Sequence, residues 1–251
     1  MARKIVFTSG KGGTGKTTVV CNVGYRLAKK GKRVLIFDFD FVLGGADILL
    51  KIDSKGKSTL SDVMMGNCRP SQVLLACPQE RNLQYLPASF SVDTLPLPTV
   101  SMVVRFYEEA FDYILIDCPS GLGSNFFQAI SEAEEAVVVS TLSPLSLRAA
   151  DKTITLLKNG NFAKISLLLN QVKGNEIVCG ATLSPTEASA LLKLPLTSVL
   201  PFAADYAAFP SEEKGYKLAA DALDMGEVKL LDVTLPYKGV RGLFRRSGAE
   251  V

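Results

Sequence analysis

The sequence predicts an α/β fold: a doubly wound, mainly parallel sheet flanked by helices on both faces. Short apolar runs such as residues 113 to 116 (YILI) have no polar face, as strands covered on both sides do. Stretches with apolar residues at helical spacing lie between those runs. Glycine-rich and proline-rich turns join the two kinds of segment.

The first strand is centred on Ile5-Val6-Phe7. Residues 16 to 30 predict a helix, with Val20, Val23, Gly24 and Leu27 on one face and Gly31 as its stop. Residues 33 to 39 (RVLIFDF) read as a buried strand. A short helix at 59 to 66, a short strand at 83 to 86 and helical spacing around 97 to 110 follow. The run 113 to 116 is a strand ended by Asp117. Strands at 136 to 140 and 165 to 169 flank a helix opened by Ser143-Pro144, an N-cap followed by proline at the first helical position. Ser184-Pro185-x-Glu187 has capping-box spacing and opens another helix. A strand at 196 to 200 ends at Pro201. No repeat, low-complexity tract or linker interrupts this βα alternation, so residues 1 to 236 read as one domain.

Ligands of such sheets sit beyond the carboxyl ends of the strands, where the chemistry-bearing residues fall. Residues 9 to 18, SGKGGTGKTT, contain G-x-x-x-x-G-K-[ST] as Gly10, Gly15, Lys16 and Thr17. The glycines Gly10, Gly12, Gly13 and Gly15 let successive N–H groups, with those of Thr14 and Thr18, converge on one anion. The following helix N-terminus adds roughly half a positive charge toward it. Lys16 can reach the β- and γ-phosphates, and Thr17 can offer a hydroxyl to Mg²⁺. Lys11 is a surplus cation: either a solvated loop lysine or a phosphate contact, on its own chain or across a dimer.

Asp117 is a candidate carboxylate beside Mg²⁺, or else a strand-end cap. With no histidine in the chain, a carboxylate is the group left to orient or activate the attacking water. Asp38 and Asp40 are the candidates, with turn aspartates as the alternative. Asn170 can donate to and accept from an adenine edge, or make an Asx turn. Guanine-specific sites carry N-K-x-D at this place, whereas this chain has N-Q-V-K, so ATP is preferred over GTP.

Composition sets outer bounds. A net charge of +3 is too small to argue for nucleic acid, and no specific nucleic-acid partner is expected. Cys21, Cys68, Cys77, Cys118 and Cys179 are odd in number and scattered without C-x-x-C, which fits reduced thiols in a cytoplasm. The chain enters a strand almost at once, so no signal peptide is expected. Asp38, Asp40 and Asp47 break the apolar run at 34 to 50, and no stretch reaches the ~18 apolar residues of a membrane span.

Residues 237 to 251 form a second candidate site. Placed on a helix, Tyr237, Val240, Leu243 and Phe244 share one face, and Lys238, Arg241, Arg245 and Arg246 the other. That is a short basic interfacial helix suited to an anionic membrane surface. The alternatives are a frayed basic terminus and a core-docking helix.

KGGTGKTT at 11 to 18 resembles the deviant Walker A loop of the MinD/ParA family, and DCPSG at 117 to 121 resembles its D-x-P-x-G. SDVMMGNCRPSQVLL at 61 to 75, NLQYLPAS at 82 to 89, LSLRAADKTITLL at 145 to 157 and VLPF at 199 to 202 tilt the likeness toward the MinD branch. The resemblance implies a SIMIBI-like P-loop NTPase that uses ATP and Mg²⁺. It implies an ATP-dependent homodimer in which Lys11 reaches the partner's nucleotide, Asp40 positions water, Asp117 and Asp38 lie by the metal, and Pro201 and Phe202 line the base. It further implies a peripheral location on the inner face of the cell membrane, a MinC-like division inhibitor as partner and a MinE-like activator. Residues 42 to 46 depart from the branch's switch pattern, D-x-G-L-R-N-L-D, and resemble flagellar-placement relatives about as well. A partitioning ATPase and a non-hydrolysing, nucleotide-gated adaptor are the other readings the family allows.

Overall fold

In the computed structural model, residues 1–40, 45–54, 56–87, 97–119, 121–160, 162–203 and 209–238 are described; the side chains of residues 64 and 97–99 are not. Most of the basic tail, including Val240, Arg241, Leu243, Phe244 and Arg245, therefore lies outside the described residues, as do residues 42 to 44 of the switch stretch.

The elements follow one another as β1 (Arg3–Thr8), α1 (Lys16–Lys29), β2 (Val34–Asp38), α2 (Ala46–Leu50), α3 (Leu60–Met64), β3 (Leu75–Ala76) and β4 (Leu83–Pro87). Then come α4 (Leu97–Tyr107), β5 (Tyr113–Asp117), α5 (Ser124–Ser131), β6 (Glu135–Ser140), α6 (Pro144–Lys158) and β7 (Lys164–Val172). The series ends with α7 (Gly174–Val178), α8 (Pro185–Leu192), β8 (Leu196–Pro201) and α9 (Lys214–Met225). They build one eight-stranded sheet ordered β3-β4-β2-β5-β1-β6-β7-β8. Every pairing is parallel except β3 with β4. The mainly parallel sheet with helices on both faces is thus present.

Strand alternation divides the core in two. Ile5, Phe7, Val34, Ile36, Tyr113 and Leu115 pack beneath α1, α2 and α9. Val6, Leu35, Phe37, Ile114 and Ile116 pack against α4, α5, α6 and α8. The same period of two carries Asp38 and Asp117 onto the α1 face at the strand ends. β1 lies between β5 and β6, so the chain's direction across the sheet reverses there and a crevice opens above its carboxyl end.

The expected caps form. Ser143 Oγ accepts from Ser146 N–H at the start of α6. Ser184 and Glu187 close their capping box, with Ser184 N–H donating to Glu187 Oε2 at 2.7 Å. Four helices, α2, α5, α7 and α9, had no sequence expectation, and two of them are long. In α9 three of the six buried positions are alanine and the second residue is Gly215. A Cβ on Gly215 would meet Leu200 Cδ2 at 2.5 Å and the Val199 carbonyl at 3.0 Å, so the leucine would have to shift. α5 sits between glycine-rich and acidic segments that mask its one buried stripe of Phe126 and Ala129.

The tail also starts differently from the expectation. Tyr237 closes a 3-10 turn, Leu235–Tyr237, and Lys238 is extended. Tyr237 packs on Gly174, where a Cβ would lie 2.9 Å from its ring. Tyr237 therefore belongs to the domain, and the boundary expected after residue 236 falls inside this turn.

Away from the crevice, Asp224 fastens α9 to the sheet. It takes Lys30 Nζ at 2.7 Å, Lys32 Nζ at 3.0 Å and the Tyr113 hydroxyl at 2.8 Å. Burial pushes its carboxyl up, but these donors outweigh burial and hold it down at about 2. A depressed acid stabilises the fold above its unfolded value near 3.8 and loses that contribution as pH falls toward 2. Asp224→Asn is expected to lose roughly 1–2 kcal/mol at neutral pH, or about 4 °C in melting temperature. Denaturant titrations from pH 7 to 2 check this: the gap between the two proteins should narrow only below pH 4.

Candidate functional site

The loop between β1 and α1 is built around two glycines. Gly15 adopts φ +78° and starts α1, and a Cβ there would collide with Asn170 Nδ2 at 2.4 Å. A Cβ on Gly10 would meet the Ala149 carbonyl of α6 at 2.2 Å. The loop is therefore pinched between β7 and α6, and only hydrogen fits at either contact. α1 has no side-chain cap and no acidic residue in its first turn. Its leading N–H groups are left for a ligand, as an anion site needs.

A cavity of about 250 Å³ above this loop is lined by Ser9, Lys11, Gly12, Gly13, Thr14, Gly15, Lys16, Thr17, Thr18 and Asp40. The predicted loop residues thus converge, Gly10 excepted, which serves the scaffold beneath. Lys11 is exposed at the cavity's mouth, and its carbonyl accepts from the Ser9 hydroxyl at 3.1 Å. Lys16 is buried, with Nζ 2.5 Å from Asp117 Oδ1. Burial lowers the affinity of Lys16 for its proton, yet Asp117 outweighs it and holds the pKa above the ordinary lysine value. The lysine stays charged.

Asp117 and Asp38 are opposite one another in the parallel register of β5 and β2. Burial, and then the Asp117 charge, push the Asp38 carboxyl up to about 7. Asp38 Oδ1 accepts from Asp40 N–H at 2.9 Å, and Oδ2 accepts from the Tyr85 hydroxyl at 3.1 Å. Asp117 Oδ2 is buried with no hydrogen-bond partner among the described residues. The orphaned Asp117 oxygen and the Thr17 hydroxyl are hard-oxygen donors of the kind Mg²⁺ takes, whereas both oxygens of Asp38, the third candidate, already accept hydrogen bonds. A metal ion held there would supply positive charge to neutralise a phosphoryl group in transfer.

Asn170 Nδ2 donates to the Thr14 carbonyl at 2.8 Å, so the amide braces the loop. Gln171, which sequence reasoning did not single out, does likewise: Nε2 donates to the Gly13 carbonyl at 3.3 Å. Consecutive strand residues normally face opposite ways. Here Gln171 has φ +55° and the β7–β8 register slips between Leu169 and Val172. The irregularity aims both amides at one loop. Beyond Gln171 a cavity of about 470 Å³ is lined by Thr141, Ser143, Lys173 and Phe202 among others. Phe202 is half exposed there, with Lys173 Nζ 5.5 Å from its ring centre. Pro201 ends β8 just before Phe202, and of these two expected base-lining residues only Phe202 lines this cavity, with Gln171.

A family model described as an AAA domain matches residues 2–167. The septum site-determining protein MinD of Synechocystis is 37% identical over 203 residues, covering 80% of this chain and 76% of that protein. Among solved structures, the MinC:MinD cell division complex of Aquifex aeolicus superposes with TM-score 0.82 at 29% identity, covering 92% of this chain and 98% of the other. MinD of Pyrococcus horikoshii with Mg-ADP gives 0.78 at 27%, covering 89% and 96%.

The bracing role of Asn170 has a measurable signature. Asn170→Ala removes a buried donor and is expected to weaken nucleotide binding by roughly 1–2 kcal/mol, or five- to thirtyfold. Titration with fluorescent ATP and GTP analogues checks it. Both affinities should fall together, whereas a base-reading asparagine would cost ATP alone.

Proposed function

Because this chain belongs to the MinD family of septum site-determining P-loop ATPases, we propose that it acts as an ATP-switched dimer on the inner face of the cell membrane. Nucleotide binding and ATP hydrolysis are the family's chemistry. In this reading Lys16 leaves Asp117 for the β- and γ-phosphates when ATP enters. The freed Asp117, with Thr17, would hold Mg²⁺. Asp40, on the cavity wall, orients the attacking water. ATP closes the dimer, two basic tails then bind anionic lipid together, and hydrolysis releases them. A MinC-like division inhibitor is the partner this cycle would carry, and control of septum site its outcome.

The observation that carries the proposal is the exposed Lys11 at the mouth of a phosphate cavity that already contains Lys16. One charged lysine suffices to hold β/γ-phosphate in its own subunit. A second, at the rim, is placed to meet a triphosphate held by a facing copy. Tail pairing supports the membrane step, because a second weak anchor acts at high effective concentration.

With ATP and Mg²⁺ the full chain should run as a dimer by light scattering, and Lys11→Ala as a monomer that still binds ATP. Sedimentation with anionic liposomes under ATP, ADP and no nucleotide tests the tail. The full chain should pellet with ATP only. A chain ending at Lys238, which keeps the Tyr237 turn, should remain in the supernatant. Pelleting without nucleotide, or after that truncation, would sink the membrane switch.

A further inference from the structure

Tyr85 lies on β4, paired with Ile36 of β2, and β2 and β5 separate it from β1 and the phosphate loop. It is 2% exposed, and strand alternation puts its ring on the α1 face of the sheet. A buried tyrosine hydroxyl usually finds a hydrogen-bond partner. Tyr85 donates to Asp38 Oδ2 at 3.1 Å. Asp38 is itself 3% exposed, and its other oxygen accepts from the backbone N–H of Asp40 at 2.9 Å. Both oxygens of one buried carboxylate are therefore held from two sides, which leaves it a single orientation. The bond to Asp40 passes that orientation to the residue forming the wall of the phosphate cavity.

We infer that Tyr85 is a positioning residue for ATP hydrolysis: its hydroxyl fixes the Asp38 carboxylate, which fixes the Asp40 backbone and so the carboxylate facing the attacking water. The inference rests on the reading above that Asp40 orients that water. Tyr85 touches neither nucleotide nor loop. Its contribution should therefore appear in the chemical step and not in binding, because rate depends steeply on the placement of the group that aligns the nucleophile. A tyrosine that only fills the core would change stability and leave the split between rate and affinity untouched.

The test removes one oxygen atom. Tyr85→Phe keeps the ring and its packing. Single-turnover ATP hydrolysis should slow about five- to tenfold, the size of one hydrogen bond's loss. ATP affinity should stay within twofold, which also reports an intact fold. In an Asp38→Ala background, where the acceptor is gone, Tyr85→Phe should add nothing to the loss. An unchanged hydrolysis rate overturns the inference. So does an equal fall in rate and affinity, or an undiminished effect in the Asp38→Ala background. Asp40→Ala separates the two layers. If it is inactive while Tyr85→Phe is normal, the Tyr85 inference alone fails. If Asp40→Ala hydrolyses ATP normally, the role of Asp40 fails and the inference falls with it.

Discussion

Two carboxylates and one ammonium, all buried at the carboxyl end of a parallel sheet, set the terms for the rest of the molecule. Lys16, Asp38 and Asp117 are drawn together because two strands end in register and the first turn of α1 lies over them. Charges out of water persist only when paired or hydrogen-bonded. Lys16 answers Asp117, while Tyr85 and the Asp40 backbone answer Asp38. The balance is incomplete: one oxygen of Asp117 has no partner among the described residues, and Asp38 keeps its proton far above the usual carboxylate range. A site left short of cationic charge in this way is matched to a ligand that arrives with a divalent ion.

Much of this was legible in the sequence because it is local. The glycine-lysine-threonine spacing, the strand before it and the helix after it occupy one continuous stretch. Asp38 and Asp117 each terminate an apolar run, and in a parallel sheet the ends of such runs share an edge. The caps at Ser143 and Ser184 announce their helices within four residues. What was not legible depends on contacts distant in the chain or on backbone geometry without a residue signature. Nothing in N-Q-V-K says that Gln171 adopts a positive φ, and that turn brings its amide beside that of Asn170 beneath the loop. Tyr85 reads as one aromatic in a short strand, and only the β4–β2 pairing reveals its acceptor. The alanines of α9 hide a helix that buries half its residues.

The sheet also explains why the phosphate loop is held so firmly. It is compressed between a helix on one side and a neighbouring strand on the other, and both contacts tolerate only hydrogen at the α-carbon. Two amides then tie its carbonyls from below, leaving its N–H groups directed outward. Donors are presented and acceptors withdrawn, the polarity an anion requires. Beside the loop, Phe202 and Lys173 supply an aromatic face and a cation suited to a planar, electron-rich ring.

The slipped register in β7 bears on protein engineering. Moving the ten-residue loop onto another parallel sheet would import its glycines and lysines but not the two amides beneath them. A regular strand in the recipient would turn one of those amides away. The transplant would reproduce the motif as text while losing the rigidity that makes it a receptor. The smallest portable unit is therefore the loop together with a kinked neighbour drawn from the far half of the chain.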